Sequence, residues 1–185
     1  MAIFHEHMTQ RVPTDPHWTS NCTAYCCAML VHDSTLGGLL GVTGRAVRAA
    51  SNERIPDPAS PGLNIVQVQY VARNTFNVPL DDNTGQSWAQ LVAAAQSDHR
   101  ILLQLDYKTM GEWRAQKGGD FGHAVVVVNF THNGTRVNAS DPLALKMRSY
   151  PAEVIHEAAR VFARDTGLNS GLRWANTRAV PRYVK

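Results

Sequence analysis

Three residue types able to carry nucleophilic chemistry stand in contexts that could bring them together. Cys22 lies in Asn21-Cys22-Thr23-Ala24-Tyr25, where a helical pattern begins. His123 opens the run Gly122-His123-Ala124-Val125-Val126-Val127-Val128, and Asp141 follows a turn in Asp141-Pro142-Leu143. A cysteine attacks as the thiolate, and both a helix N-terminus and a neighbouring imidazolium lower its pKa. A thiol at the first helical turn also leaves its own backbone N–H, or that of Thr23, near an oxyanion formed at a carbonyl under attack. A carboxylate beside the imidazole fixes its tautomer and leaves the other ring nitrogen for sulfur. Singly, each residue has an ordinary reading: a small buried thiol, a core histidine, a turn-starting aspartate. It is their order and setting that favour a joint role.

The elements needed to position them are visible in the pattern. From Asn21 or Cys22 to about His32, the residues Ala24, Cys27, Ala28 and Val31 repeat at helical spacing, with Asn21 or Ser20 as the N-cap. Thr43 can cap a short helix with Val47 and Ala50 inside. Asn64 can cap one carrying Ile65, Val68, Val71, Ala72 and Phe76, and Ser87 one with Leu91, Val92 and Ala95. Residues 100–106 alternate as a strand, and residues 107–121 form a long polar loop of the kind that is more often functional than idle. Residues 122–131 form a strand whose four valines predict burial on both faces. Asn133-Gly134 is a hairpin turn, and residues 136–140 return as the partner strand. The 18-residue separation of His123 and Asp141 suits a strand, a turn and a return. Pro151 fits the first turn of a helix bearing Val154, Ile155, Ala158, Ala159 and Phe162. Residues 177–184 can add an edge strand, with Pro181 confining it to the edge. Helices first and an antiparallel sheet later make an α+β arrangement.

Bulk properties narrow the function. The chain has 185 residues, is 44% hydrophobic and carries a net charge of +3, enough for one domain with a proper core. The arginines are scattered, with no basic block of the density that nucleic acid requires, and no apolar run approaches a membrane span. The first residues lack a secretory signal, so synthesis in the cytoplasm is expected, with a virion as a later location. Residues 1–18 read as an N-terminal arm that wraps the domain or meets a partner, and residues 19–185 as the domain. Cys22, Cys26 and Cys27 are odd in number and clustered, a poor disulfide framework. A structural zinc site would want a second cluster, with His5, His7 and His17 the ligands on offer. The thiol chemistry itself requires no metal or organic cofactor. Cys26 and Cys27 read as core. Trp18, Trp88, Trp113 and Trp174 read as packing residues, with Trp18 and Trp113 as possible cleft walls.

At this point the chain resembles the bacteriocin-processing-like (C39-like) branch of the papain-like cysteine peptidases, especially short forms from actinobacteria and their tailed phages. The resemblance is carried by Asn21-Cys22-Thr23-Ala24 with Ala28-Met29, by Gly122-His123-Ala124-Val125, and by Asp141-Pro142-Leu143. Residues 58–63, Ile101-Leu102-Leu103-Gln104 and Tyr150-Pro151 add to it, over roughly residues 18 to 165. It implies a papain-like fold and a thiol hydrolase acting through a thioester, with Cys22 as nucleophile, His123 as base and acid, and Asp141 as orienter. The implied substrate is a peptide or a peptidoglycan amide. The chain departs from the family where a glutamine usually stands some six residues before the nucleophile, and where Thr23 replaces a glycine. Gln10, the only upstream glutamine, is too far along the chain, which leaves His17 or Asn21 as substitutes. The departures keep a second expectation open: a virion structural or tail-associated protein with weak or no catalysis, binding other virion proteins through its N-terminal arm and C-terminal segment.

Overall fold

The computed structural model describes residues 7–10, 21–34, 41–54, 62–97, 99–111 and 122–177. Among the described residues, five α-helices flank one antiparallel sheet. The helices are α1 (Cys22–Ser34), α2 (Gly44–Arg54), α3 (Ile65–Phe76), α4 (Trp88–Gln96) and α5 (Ala152–Asp165). The strands are β1 (Leu80–Asp82), β2 (Ile101–Asp106), β3 (Gly122–Thr131), β4 (Arg136–Ser140), β5 (Arg148–Pro151) and β6 (Trp174–Thr177), in the spatial order β1-β6-β2-β3-β4-β5. The α+β expectation holds. Trp18, Trp113 and most of the long loop lie outside the described residues.

Local chemistry accounts for most of the helix starts. Asn64 and Ser87 each accept the N–H of the residue three places on, Gln67 and Gln90, whose side chains return to the cap backbone. Two orphan donors are satisfied reciprocally at each helix start. Thr43 Oγ1 accepts from Ala46 N–H at 3.2 Å and starts α2. Helix α1 is different: nearly every residue from Cys22 to Val31 is buried, so it is an inner helix rather than an amphipathic one. Its C-terminal Asp33 sits at the unfavourable end of the helix dipole, and Arg100 Nε stands 3.4 Å away as counterion.

Strand alternation divides the interior into two cores. Leu102, Ala124, Val126, Val128 and Ala175 face α1, α2 and α3. Ile101, Leu103, Leu105, Val125, Val127, Val137 and Ala139 face α4 and α5. The valine run is buried on both faces for this reason. Asn133 (φ 57°) and Gly134 (φ 86°) adopt the left-handed pair that a tight hairpin needs. Between Val127 and Asn129 the β3–β4 register slips by one: Phe130 pairs with Val137 and Thr131 with Arg136, but Val127 pairs with Ala139 and Val126 with Ser140. Val128 is the extra residue of a β-bulge.

The edge strand expected over residues 177–184 lies, apart from Thr177, outside the described residues, and a strand that the sequence did not suggest comes just before it. The strand there is Trp174–Thr177, and it lies inside the sheet, paired with β1 on one side and β2 on the other. Four buried residues without alternation give no strand signal, and only tertiary pairing makes them one. Residues 178–185, with Pro181, lie outside the described residues.

Gly122 enters β3 against the ring of Phe162 on α5, and a Cβ on Gly122 would fall 2.3 Å from that ring. Gly122→Ala is expected to cost about 1–3 kcal/mol by overpacking, and much less in a Phe162→Ala background. A denaturant-unfolding double-mutant cycle measures this; equal costs in both backgrounds would refute the contact.

Candidate active site

Asn21 C=O accepts from Tyr25 N–H at 2.9 Å, so Cys22 is the first residue of α1 and its sulfur sits at the positive end of the helix. His123 is the second residue of β3, and Asp141 follows the last residue of β4. All three are buried, at 6%, 2% and 1% exposure. The bulge decides whether the imidazole and carboxylate can meet. Beyond it, Val126 pairs with Ser140, so Asp141 falls opposite Val125 and shares the α5 face of the sheet with His123, its diagonal neighbour. In the register nearer the turn, Asp141 would fall opposite Val126 and face the other core.

His123 Nε2–H donates to Asp141 Oδ1 at 2.7 Å. Nδ1 of the same ring is buried with no hydrogen-bond partner, and Cys22 lies near enough to the ring for each group to shift the other's proton affinity. Helix α1 lies on the opposite face of the sheet from His123, so the thiol meets the ring around the end of β3, where Ala124 N–H also donates to the sulfur. The Thr23 hydroxyl lies 3.8 Å from it.

The electrostatics follow from this packing. Burial pushes the Cys22 thiol up, but hydrogen bonding to His123 and its charge outweigh that and hold it below its ordinary value, with Thr23 and Ala124 N–H adding to the effect. Burial opposes the imidazolium of His123, yet the Asp141 charge and hydrogen bond, with Cys22, raise it to about 10. Burial would raise Asp141, but the His123 charge and hydrogen bond, Leu143 N–H and Tyr150 lower it. The packing therefore favours a thiolate–imidazolium pair over the neutral pair, with the carboxylate behind the ring. His123 contributes stability that is complete below pH 6.5 and lost as pH rises through about 10. Asp141 contributes stability that is complete above its ordinary 3.8 and lost on acidification through its lowered value.

Other sequence-singled residues separate cleanly. Cys26 and Cys27 are fully buried. Burial, then the charges of Cys22, Asp141 and Cys27, push Cys26 well up, and burial takes Cys27 to about 12. Gln10 needs correction as too distant. It is fully buried, and its backbone N–H donates to Pro142 O at 2.8 Å, one residue from Asp141. Residues 7–10 of the expected arm run over the domain: Thr9 Oγ1 donates to Pro142 O, His7 Nε2 to Ala144 O, and Met8 N–H to the Met29 sulfur of α1. Chain distance misled because the strap doubles back. His17 lies outside the described residues. Sequence reasoning missed Tyr107 and noted Tyr150 only within the resemblance, with no role at Asp141; their hydroxyls approach Asp141 Oδ2 at 3.5 and 3.4 Å. A lone tyrosine beside a strand end carries no periodic signal; only the parity of Leu105 with Tyr107 could have pointed inward.

No family model matches this chain, and no curated protein matches it. Among solved structures, a Bacillus anthracis protein described as a C39-like peptidase superposes with a TM-score of 0.68 at 12% identity, over 96% of this chain and 96% of that one. The Pseudomonas avirulence protein AvrPphB aligns at a TM-score of 0.35 and 15% identity, over 86% of this chain and 90% of that one. The first likeness shows the fold, which is the C39-like, papain-like α+β architecture.

Cys22 alone of the three cysteines is expected to react with iodoacetamide in native protein, at pH values below the ordinary thiol range near 8.5. In His123→Ala the labelling limb should move above that range, because burial is then opposed only by Thr23 and the Ala124 N–H. Mass-resolved alkylation rates against pH check this; equal labelling of Cys22 and Cys26 would contradict the assignment.

Proposed function

We propose that this protein is a cysteine hydrolase of peptide amide bonds, working through a thioester on Cys22. The observation that carries the reading is the contiguous Cys22–His123–Asp141 arrangement, with a lowered thiol and a raised imidazole sharing one buried site. The Cys22 thiolate attacks the scissile carbonyl carbon, and the carbonyl π electrons move to oxygen. The Cys22 backbone N–H, unused within the first turn of α1, stabilises that oxyanion. We assign the second donor to the Gln10 carboxamide, because the residue is fully buried and its backbone N–H is tied to Pro142 O, in the turn next to Asp141. Collapse breaks the C–N bond as His123 gives its Nδ1 proton to the leaving amine. The neutral ring then takes a proton from water, hydroxide attacks the thioester, and the thiolate leaves. Asp141 holds Nε2–H throughout.

The substrate reading rests on the sequence resemblance: a protein chain or a peptidoglycan stem peptide, the latter suiting an actinobacterial or phage-borne enzyme. Casein and purified peptidoglycan serve as the two substrates. Cys22→Ala is expected to abolish turnover of whichever is cleaved, with no loss in Tm. Gln10→Ala should lower kcat by about a hundredfold, the usual cost of one oxyanion donor. Failure of folded wild-type protein to cleave either would favour the scaffold reading, and full activity in Cys22→Ala would end the thiol mechanism.

A further inference from the structure

Asp141 is gripped from several directions. Oδ1 accepts His123 Nε2–H at 2.7 Å and Leu143 N–H at 2.8 Å. Oδ2 accepts two phenols: Tyr107 Oη–H at 3.5 Å, from just beyond the end of β2, and Tyr150 Oη–H at 3.4 Å, from β5. Both tyrosines are buried within the α5-side core, among Leu143, Ile155 and Val137. The Tyr107 ring also lies against the His123 imidazole, with centroids 4.4 Å apart and planes tilted by 52°.

A carboxylate in such surroundings returns to the neutral acid unless donors replace its lost water. One oxygen is served by the imidazole and a backbone N–H. The other has only hydroxyls to meet it among the hydrogen bonds seen here. A phenol presents one proton, so two tyrosines on one oxygen supply two donors and no competing charge. Their strands fix the direction of the grip, since β2 pairs with β3 on one side of His123 and β5 pairs with β4 just before Asp141. A half-turn of the carboxylate only exchanges equivalent oxygens; what the phenols on Oδ2 oppose is partial rotation, which would carry Oδ1 out of line with His123 Nε2.

We propose that Tyr107 and Tyr150 are positioning residues that keep Asp141 ionised and turned toward His123, with Tyr107 also bracing the imidazole face. This rests on the reading of Cys22, His123 and Asp141 as one site. Tyr107 meets the flank of the imidazole, and both hydroxyls are directed at the carboxylate. Their effect runs through the carboxylate, so it differs from that of a packing residue in one respect: it sets the pH at which the site is lost. Once Asp141 protonates, a buried imidazolium loses its counter-charge, and the pair reverts to neutral thiol and neutral imidazole.

Tyr107→Phe and Tyr150→Phe keep ring volume and remove one donor each, so the fold should survive in both, as checked by thermal melting. Iodoacetamide labelling of Cys22 against pH reads the site without any substrate. The acid-side midpoint should rise in each single variant, and by about one pH unit in the double variant. Labelling at the alkaline plateau should fall by less than threefold. An unmoved acid midpoint in both single variants, with wild-type labelling normal, would overturn the positioning role and leave the hydrolase reading intact. Wild-type Cys22 that labels only as an ordinary thiol would instead remove the site on which the proposal rests. If the double variant fails to fold, the single variants decide.

Discussion

A hydrogen bond of 2.7 Å between His123 and Asp141, sealed from solvent, constrains everything around it. An imidazolium and a carboxylate together inside an apolar core lose far more hydration than one contact restores, so each remaining lone pair and proton must find a partner. Leu143 N–H and the phenols of Tyr107 and Tyr150 meet the carboxylate; the Cys22 sulfur meets the ring. Those partners come from α1, β4 and its following turn, β5 and the end of β2. Fixing one ion pair thus fixes the mutual placement of most of the sheet and of the helix that carries the thiol.

The layered architecture explains why the site lies at a sheet end. The sheet has a core on each face. The imidazole and carboxylate point to the α5 side, whereas α1 packs on the other side. A thiol in the middle of α1 would be screened from His123 by the sheet itself. At the first residue of α1 it can reach past the start of β3, where the backbone N–H of Ala124 also becomes available. The phase of α1 and the start of β3 are therefore coupled, and Phe162 pressing on Gly122 ties the entry of that strand to α5.

Much of this was legible in the residues, and the failures have identifiable causes. Capping boxes at Asn64 and Ser87, and the Asn133-Gly134 turn, are local devices whose side chains act within a few residues, so they read correctly. The short strands β1, β5 and β6 were invisible because three or four residues cannot display a period. The separation of His123 and Asp141 suggested a hairpin, but a regular hairpin on the Asn133-Gly134 turn would put them on opposite faces. Their offset from the turn register is odd. Val128 corrects the parity by one residue, and a bulge inside a run of four valines has no sequence signature. Gln10 was misjudged because separation along the chain says nothing about a segment that folds back over the Asp141 turn.

The three cysteines show that place, rather than residue type, sets the chemistry. Cys22, Cys26 and Cys27 share one helix and are all buried, so desolvation raises each of them. Cys27 meets no compensating charge and rises to about 12. Cys26, one turn beyond Cys22 on the same side, meets negative charge from Cys22 and Asp141, which raises it further. Only at the first helical position do an imidazolium, a hydroxyl and a strand N–H converge on sulfur, and only there does the balance reverse. Negative charge on Cys22 in turn helps keep Cys26 protonated, so three identical side chains on one helix differ in how readily they ionise.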